Sequence, residues 1–286
     1  MRNFYLIANN IKDPDNSITN RITLYVKAQG GTCVVHPQEK KGEGSYHYTD
    51  PDLIPEDIEC LSVLGGDGTL LQAARDVVHR GIPLLGINLG HLGFLAEVDT
   101  NSLEASLDKL LQDDFVQEER MMLTGTVYRK EKVIGRDIAL NDIVICRQGP
   151  LRVVQLKSFV NNEFLNSYHA DGIIISTPTG STGYSLSCGG PIVSPSAQLT
   201  IMTPIAPHAL NTRSIIFPGD DVITVELGEG RKNNREEGLA AFDGDTSIPM
   251  LTGDRIVIRK AAVSTKILKL NTLSFAEVLR QKMRDS

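Results

Sequence analysis

The chain has 286 residues, of which 41% are hydrophobic and 22% are charged, a composition typical of a folded globular protein. This composition excludes a mostly disordered or low-complexity chain. The 29 lysines and arginines stand against 35 aspartates and glutamates, so the formal net charge is −6. Because non-specific nucleic-acid binding depends on basic side chains, we expect no nucleic-acid partner.

The cysteines and the apolar runs limit where the protein can work. None of the four cysteines belongs to a C-x-x-C pair or has a histidine at metal-ligand spacing. Unpaired thiols are typical of a reducing compartment, so we expect a cytoplasmic protein. The sequence lacks an apolar run of about 18 residues, and its first ten residues fit a strand better than a signal peptide. We therefore expect no membrane partner.

The first hundred residues alternate between strand and helix patterns. Strands are predicted over residues 4–8, 32–35, 60–64 and 82–87, and helices over 16–28, 70–80 and 103–111. In the second helix, apolar residues recur at the spacing of one helical face, with Thr69 as the predicted N-cap and Gly81 after the last turn. Strand, helix and strand with short links predict a parallel, Rossmann-like sheet.

From about residue 120 the pattern becomes β-rich, with turn signals between short apolar runs. The predicted strands include residues 123–129, 138–146, 153–160, 172–176, 215–217, 222–226 and 255–258. A capping-box pattern from Ser274 to Glu277 then predicts a short C-terminal helix that packs back. We predict an N-terminal α/β domain over residues 1–118, completed by 272–286, and an all-β domain over 119–271.

The segment Gly65-Gly66-Asp67-Gly68-Thr69 follows a buried strand and opens a helix. Its glycines free the backbone N–H groups for a close ligand, and the helix N-terminus attracts anions, so the segment predicts a phosphate site. Neither a Walker motif nor a G-x-G-x-x-G fingerprint is present. Asp67 is unexpected beside phosphates, so it indicates a proton acceptor or a metal ligand. The structural alternative is a tight Asx-type turn.

Two further segments carry polar groups beside apolar strands. The stretch 171–190 is dense in hydroxyls and glycines, which suit a ribose, a phosphate or an amide; the alternative is a wide surface loop. Asn141-Asp142 lies inside the apolar run 138–146, where polar side chains need partners. The alternative for this pair is a bulge or a turn at a strand edge.

Several single residues are weaker candidates. His208 could touch a ligand, and Arg152 could reach a phosphate, although both also fit exposed surface positions. His169 could be an ionic neighbour of Asp171. Asp243-Gly244-Asp245 is typical first of a hairpin turn.

In combination these motifs resemble the NAD kinase family. The resemblance covers nearly the whole chain and depends on residues 65–69, 86–95, 141–142, 171–187, 207–210 and 243–244. The glycine-rich segment alone also resembles diacylglycerol-type lipid kinases and phosphofructokinases, whereas the Thr/Gly/Ser segment is more specific. The resemblance implies an enzyme that phosphorylates the 2′-hydroxyl of the adenosine ribose of NAD, with ATP or polyphosphate as donor.

The resemblance also implies roles for individual residues. Asp67 would be the proton acceptor, and Gly65, Gly66, Gly68 and Thr69 would form the phosphate-donor loop. The implied NAD-binding residues are Asp67, Gly68, Asn141, Asp142, Arg152, His169, Asp171, Thr179, Thr182, Gly183, Tyr184, Ser185, Ser187, Ala206 and Asp245, with His208 as a further contact. Gly183 stands where the family commonly has Ala or Ser, and Asp245 where it usually has Gln.

By the same likeness, the protein would be a homodimer or homotetramer with shared active sites. It would need a divalent cation, with Mg²⁺ expected, carried largely by the donor phosphates. Two rival hypotheses remain from the residues: another kinase with the same glycine loop, acting on a lipid or a sugar, and a non-catalytic NAD(P)-sensing module. An assay of labelled ATP with NAD, a diacylglycerol and fructose-6-phosphate separates them.

Overall fold

The computed structural model describes residues 1–37, 49–90, 93–96, 98–149, 153–209, 211–229, 235–270 and 273–284. The chain divides into two compact units, Met1–Glu119 with Thr265–Ser286, and Arg120–Ser264. The sequence prediction placed the first boundary at 118 and the return to the first unit at 272.

The first unit is an α/β layer structure. Its strands are β1 (Asn3–Ala8), β2 (Thr32–Val35), β3 (Cys60–Gly65), β4 (Leu84–Asn88) and β5 (Val98–Asp99), and its helices are α1 (Ser17–Ala28), α2 (Asp67–Val77), α3 (Leu103–Leu111) and α5 (Phe275–Arg284). Strands β2, β1, β3 and β4 pair in that order and all run parallel. Their carboxyl ends therefore share one edge, where an open α/β sheet holds its ligand.

The sequence patterns of this unit have direct structural causes. Strands β3 and β4 are buried along their whole length, which is why they appear as continuous apolar runs. Helices α1 and α3 add Ile22, Val26, Leu103 and Leu107 to the core beneath the sheet. The predicted capping box opens α5, since Ser274 N–H donates to Oε2 of Glu277 at 2.8 Å.

The second unit is built almost entirely from antiparallel strands. They are β6 (Val116–Arg129), which begins in the first unit, β7 (Lys132–Ala139), β8 (Asp142–Arg147), β9 (Val154–Val160), β10 (Glu163–Ala170), β11 (Gly172–Ser176), β12 (Leu199–Ile205), β13 (Ile215–Pro218), β14 (Ile223–Leu227), β15 (Glu237–Phe242), β16 (Thr246–Leu251) and β17 (Arg255–Lys269), which ends in the first unit. Strands β13, β12, β11, β8, β15 and β16 form one sheet in that order. A buried apolar cluster that includes Ile143, Leu156, Ile173, Phe242 and Ile256 fills the core.

The structure corrects two details of the sequence prediction. The predicted strand 138–146 is interrupted, because β7 ends at Ala139 and β8 begins at Asp142. Thr69 is not the N-cap of α2; Gly66 holds that position. A single helical turn, α4 (Tyr184–Ser187), also lies in the otherwise all-β unit. The predicted loop 36–57 falls partly outside the described residues.

Candidate functional site

The glycine-rich turn joins β3 to α2 in the first unit. Gly65 ends β3, and a Cβ there would lie 2.4 Å from Oγ1 of Thr69, so only glycine fits. Gly66 precedes the helix in an extended conformation. A Cβ at Gly68 would meet no atom within 4 Å, so this residue borders open space. The turn therefore presents the start of an eleven-residue helix, with its free N–H groups, to any ligand above it.

Thr69 supports this turn in a way that differs from its predicted capping role. Its N–H donates to the carbonyl of Gly66 at 3.0 Å. Its hydroxyl accepts a hydrogen bond from Nδ2 of Asn9 at 3.1 Å. Asn9 follows β1 and Thr69 belongs to the turn after β3, so this hydrogen bond connects the carboxyl ends of the two strands.

Asp67, the first residue of α2, binds the turn that follows β4. Its Oδ2 accepts the N–H of Phe94 at 2.8 Å, and its Oδ1 accepts the N–H groups of Leu95 and Ala96, each at 3.2 Å. A Cβ added to Gly93 would lie 1.8 Å from Oδ1 of Asp67, so the carboxylate packs directly on the glycine backbone. The contact is long-range, and a local Asx-type turn does not describe it.

Lys12 places a cation beside the glycine-rich turn. A Cβ on Gly66 would lie 2.9 Å from Nζ of Lys12, and one on Gly90 would lie 4.0 Å from it. The side chain is exposed and forms no ion pair with the described residues. The sequence pattern did not single it out, although the shared edge of parallel strands brings the residues after β1, β3 and β4 together.

Asn141 and Asp142 lie at the turn from β7 to β8, in the second unit. The N–H groups of Leu140, Asn141 and Asp142 donate to the carboxylate of Asp243 at 2.8, 2.8 and 3.1 Å. The N–H of Asp243 donates in return to the carbonyl of Asp142 at 3.0 Å. The pairing of β15 with β16 confirms the predicted hairpin turn at Asp243. The sequence did not indicate that the Asp243 carboxylate also holds the turn between β7 and β8.

Two predicted site residues carry buried polar atoms without a partner among the described residues, Oδ1 of Asn141 and Oγ1 of Thr179. Close to the first, a Cβ on Gly183 would lie 3.5 Å from Nδ2 of Asn141 and 4.0 Å from Oδ2 of Asp142. The structure thus brings Asn141, Asp142 and Gly183 together. An unsatisfied buried polar atom costs about 1–3 kcal/mol, so this arrangement suits a ligand that supplies the missing hydrogen bonds.

Asp142 is a buried acid among the predicted site residues. Only 6% of it is exposed. Burial, and then the nearby carboxylate of Asp243, raise the pKa of Asp142 to about 7. Its charge therefore changes near neutral pH.

The Thr/Gly/Ser segment contains both supporting and exposed residues. Ser185 is buried, and its hydroxyl lies 3.0 Å from that of Thr203, so it holds α4 against β12. Oγ1 of Thr182 donates to the carbonyl of Thr179 at 3.3 Å. Tyr184 is 47% exposed, and burial raises the pKa of its phenol. Ser187 is exposed.

Another group of predicted residues lies where β10 and β12 end. The N–H of His208 donates to the carbonyl of His169 at 2.8 Å. Nε of Arg147 forms an ion pair with Oδ1 of Asp171 at 2.9 Å, a partner that the sequence pattern did not indicate. Ala206 adopts a left-handed backbone conformation with φ of 44°.

The remaining predictions have mixed outcomes. Asp245 is half-buried in the turn between β15 and β16, where its N–H donates to the carbonyl of Phe242 at 3.0 Å. Arg152 lies outside the described residues. A cavity of about 600 Å³ in the second unit is lined by Phe159, Glu226 and Arg259 among others, and it contains none of the predicted site residues.

In the described part of the chain, no group of three His, Cys, Asp or Glu side chains could hold a metal ion. No helix within the described ranges is long and apolar enough to cross a membrane.

The chain matches known proteins over nearly its whole length. Residues 4–115 match the family model of the ATP-NAD kinase N-terminal domain, and residues 140–270 match that of the C-terminal domain. The chain is 45% identical over 293 residues to an NAD kinase of Lachnospira eligens, which covers 99% of this chain and 100% of that protein. It is 46% identical over 285 residues to an NAD kinase of Agathobacter rectalis, which covers 99% of both.

Solved structures show the same architecture. The yeast NADH kinase complexed with NADH superposes with a TM-score of 0.80 at 25% identity, covering 99% of this chain and 88% of that one. An NAD kinase from Archaeoglobus fulgidus in complex with ATP superposes with a TM-score of 0.77 at 23% identity, covering 100% of both chains, and this likeness concerns the fold.

These matches define the protein as a nucleotide-dependent phosphotransferase. The chain belongs to the NAD kinase family and is an enzyme that phosphorylates NAD. The family resemblance and the fold class predicted from the sequence, an α/β domain followed by an all-β domain and a short C-terminal helix, are thereby confirmed.

Proposed function

We propose that the protein transfers the γ-phosphoryl group of ATP to the 2′-hydroxyl of the adenosine ribose of NAD, with Asp67 as the proton acceptor. The observation that carries this proposal is the pair of unpartnered buried atoms, Oδ1 of Asn141 and Oγ1 of Thr179. Oδ1 of Asn141 can accept a hydrogen bond and the hydroxyl of Thr179 can donate or accept one, and a ribose or an amide can supply the partners. The likeness to a yeast enzyme complexed with NADH supports a dinucleotide as that ligand.

The glycine-rich turn would bind the phosphates of the donor ATP. Gly66 and Gly68 leave room for phosphate oxygens near the N-terminus of α2, and Lys12 adds a positive charge over Gly66. Phosphoryl transfer spreads negative charge over the equatorial oxygens in the transition state. Fixed N–H groups and an ammonium aimed at that charge stabilise it without reorganisation.

Asp67 would act through position. In the loose transition state of phosphoryl transfer, little proton removal precedes bond formation, so the carboxylate needs a defined place near the hydroxyl. The N–H groups of Phe94, Leu95 and Ala96 hold it in one orientation. Oδ2 accepts one of these bonds, which leaves it a second lone pair for the substrate hydroxyl.

A divalent cation is implied by the family, with Mg²⁺ expected. The described residues offer no cluster of three metal-binding side chains, and the carboxylate of Asp67 already accepts three N–H groups. The residues therefore do not fit a metal site made by the protein alone. A cation of this kind would arrive on the donor phosphates.

We also propose a cytoplasmic homodimer or homotetramer with residues of one subunit completing the site of another. Four free cysteines support a reducing compartment. Light scattering together with specific activity across dilution tests the assembly. A monomer with full activity would exclude shared sites.

One assay tests the proposed reaction. Purified protein is incubated with NAD and Mg²⁺, and with either ATP or polyphosphate, and NADP is measured by an NADP-specific dehydrogenase. We expect NADP with ATP. No NADP with either donor would reject the proposal, and NADP from polyphosphate alone would replace ATP as the donor. NADH in place of NAD establishes the acceptor preference.

A further inference from the structure

Asp243 is not one of the predicted NAD-binding residues, but it holds the turn that carries two of them, Asn141 and Asp142. Its carboxylate gathers three consecutive backbone N–H groups, those of Leu140, Asn141 and Asp142, at 2.8 to 3.1 Å. Its own N–H returns to the carbonyl of Asp142 at 3.0 Å. Each of these bonds spans about a hundred residues of sequence, so none belongs to a local turn.

The other side of the same turn is held as firmly. The carbonyl of Asn141 accepts the N–H of Thr177 at 2.8 Å, and the carbonyl of Leu140 accepts the hydroxyl of Thr177 at 2.6 Å. With Asp243 on the N–H side, the backbone of residues 140–142 has little freedom. These hydrogen bonds on both sides therefore fix the backbone positions from which the Asn141 and Asp142 side chains extend.

A carboxylate that holds this turn is unfavourable for the folded protein in two ways. Asp142 is buried close by, and the charge of Asp243 opposes its ionisation. Asp243 also holds a left-handed conformation, φ 51°, that is uncommon for a residue other than glycine. A hairpin turn alone requires neither feature, since Asn or Gly suits the same conformation without a charge.

We propose that Asp243 is a positioning residue for the dinucleotide: its carboxylate holds the backbone turn from which Asn141 and Asp142 reach the substrate. The inference rests on the proposed function, in which these two residues bind NAD. An ionised Asp142 accepts hydrogen bonds from hydroxyl or amino groups of the ligand, whereas a protonated one accepts fewer. NAD binding should therefore strengthen as the pH rises through 7.

Titratable neighbours of Asp142 could also contribute to a pH profile. Among the described residues, the phenol of Tyr184 and the thiol of Cys188 also interact electrostatically with Asp142. Burial raises the pKa of both, so both stay neutral between pH 6 and 8. His169 and His208 are histidines among the implied NAD contacts, so comparison of the wild type with Asp142→Asn is what identifies the part of the pH dependence that belongs to Asp142.

The test is Asp243→Asn, with NAD affinity measured by calorimetry and steady-state kinetics from pH 6 to 8. The amide of asparagine keeps one oxygen that accepts backbone N–H groups. Its NH₂ group replaces the other oxygen and would face a backbone N–H that also donates. We expect the Kd and KM for NAD to rise roughly 10-fold or more, the KM for ATP to change less than about 2-fold, and the midpoint of the pH profile to move to lower pH.

Asp254→Asn is the matched control. Asp254 is also a buried carboxylate in the second unit. It accepts the N–H of Leu251 at 2.7 Å and forms an ion pair with Arg129. This variant should lower thermal stability while leaving the KM for NAD and its pH profile unchanged. Equal losses for NAD and ATP in Asp243→Asn, or an unchanged NAD affinity and pH profile, would overturn the inference.

Two measurements keep the inference testable if Asp243→Asn does not fold. The wild-type Kd for NAD must fall between pH 6 and 8, and Asp142→Asn must abolish that change; a flat wild-type profile overturns the inference. Conversion of NAD to NADP by the wild-type protein is measured first. If that conversion fails, the proposed function fails, whereas a normal conversion with a flat profile rejects only the role of Asp243.

Discussion

At the scale of single residues, Asp67 has two structural roles, and the sequence indicated only the first of them. It opens α2, and it binds three N–H groups of residues 94–96. The predicted proton acceptor stays a prediction, but its carboxylate has a fixed orientation. Losing the carboxylate should therefore affect turnover more than dinucleotide binding.

Asp67→Asn should lower kcat by roughly 10²–10⁴-fold and leave the Kd for NAD within a few-fold, because a positioned proton acceptor contributes about that much. Steady-state kinetics and calorimetry measure the two quantities. Asp108→Asn removes a carboxylate charge in α3 at the residue that accepts the Tyr25 hydroxyl, so it serves as the control and should retain its kcat. Near-normal turnover of Asp67→Asn would remove this residue from the chemistry.

Lys12→Met should raise the KM for ATP roughly 10-fold with little effect on the KM for NAD. The ammonium lies over Gly66, where donor phosphates are proposed, and a charged hydrogen bond contributes about 1.5–3 kcal/mol. Lys27→Met, at the exposed last turn of α1, is the matched control. If both variants bind ATP like the wild type, Lys12 has no part in donor binding.

At the scale of elements, the site depends on turns that follow strands. Short apolar runs in the sequence predicted β3 and β4, and the apolar residues at helical spacing predicted α2, because both patterns involve neighbouring residues. The predicted strand ran through Asn141, with a turn only as the alternative, since apolar residues continue on both sides of Asn141; the structure has the turn. Polar residues inside an apolar run were the signal, and they mark a turn.

Gly93→Ala tests the contact between the turn after β4 and α2. A methyl group at this position would lie 1.8 Å from Oδ1 of Asp67, so either the turn or the carboxylate must move. A displacement of about 1 Å at a catalytic group costs on the order of 10²-fold in rate. We expect such a fall in kcat with a normal circular dichroism spectrum and preserved NAD binding. Full activity would show that the contact is dispensable.

At the scale of the whole molecule, Asp142 links pH to stability. Its pKa in the folded protein, about 7, is above its ordinary value of 3.8, so the native state favours the protonated form. Stability from this group is complete below about pH 4 and is lost as the pH rises through 7. The loss applies to the protein without ligand.

Asp142→Asn removes this titration. At about 1.4 kcal/mol for each pKa unit, the free energy of unfolding of the variant relative to wild type should increase by up to about 3 kcal/mol between pH 5 and pH 8. Urea unfolding at both pH values, followed by circular dichroism, measures the difference. A difference that does not depend on pH would contradict the raised pKa of Asp142.

The sequence by itself determined the local elements, the order of the motifs and the family, because periodicity, glycines and short motifs are properties of neighbouring residues. Only the tertiary structure decided which groups meet: Asp67 with the backbone of 94–96, Asp243 with that of 140–142, and Lys12 with Gly66. These contacts join residues from about 27 to more than 100 positions apart. Partners at that distance depend on strand order and turn geometry, which no local pattern encodes.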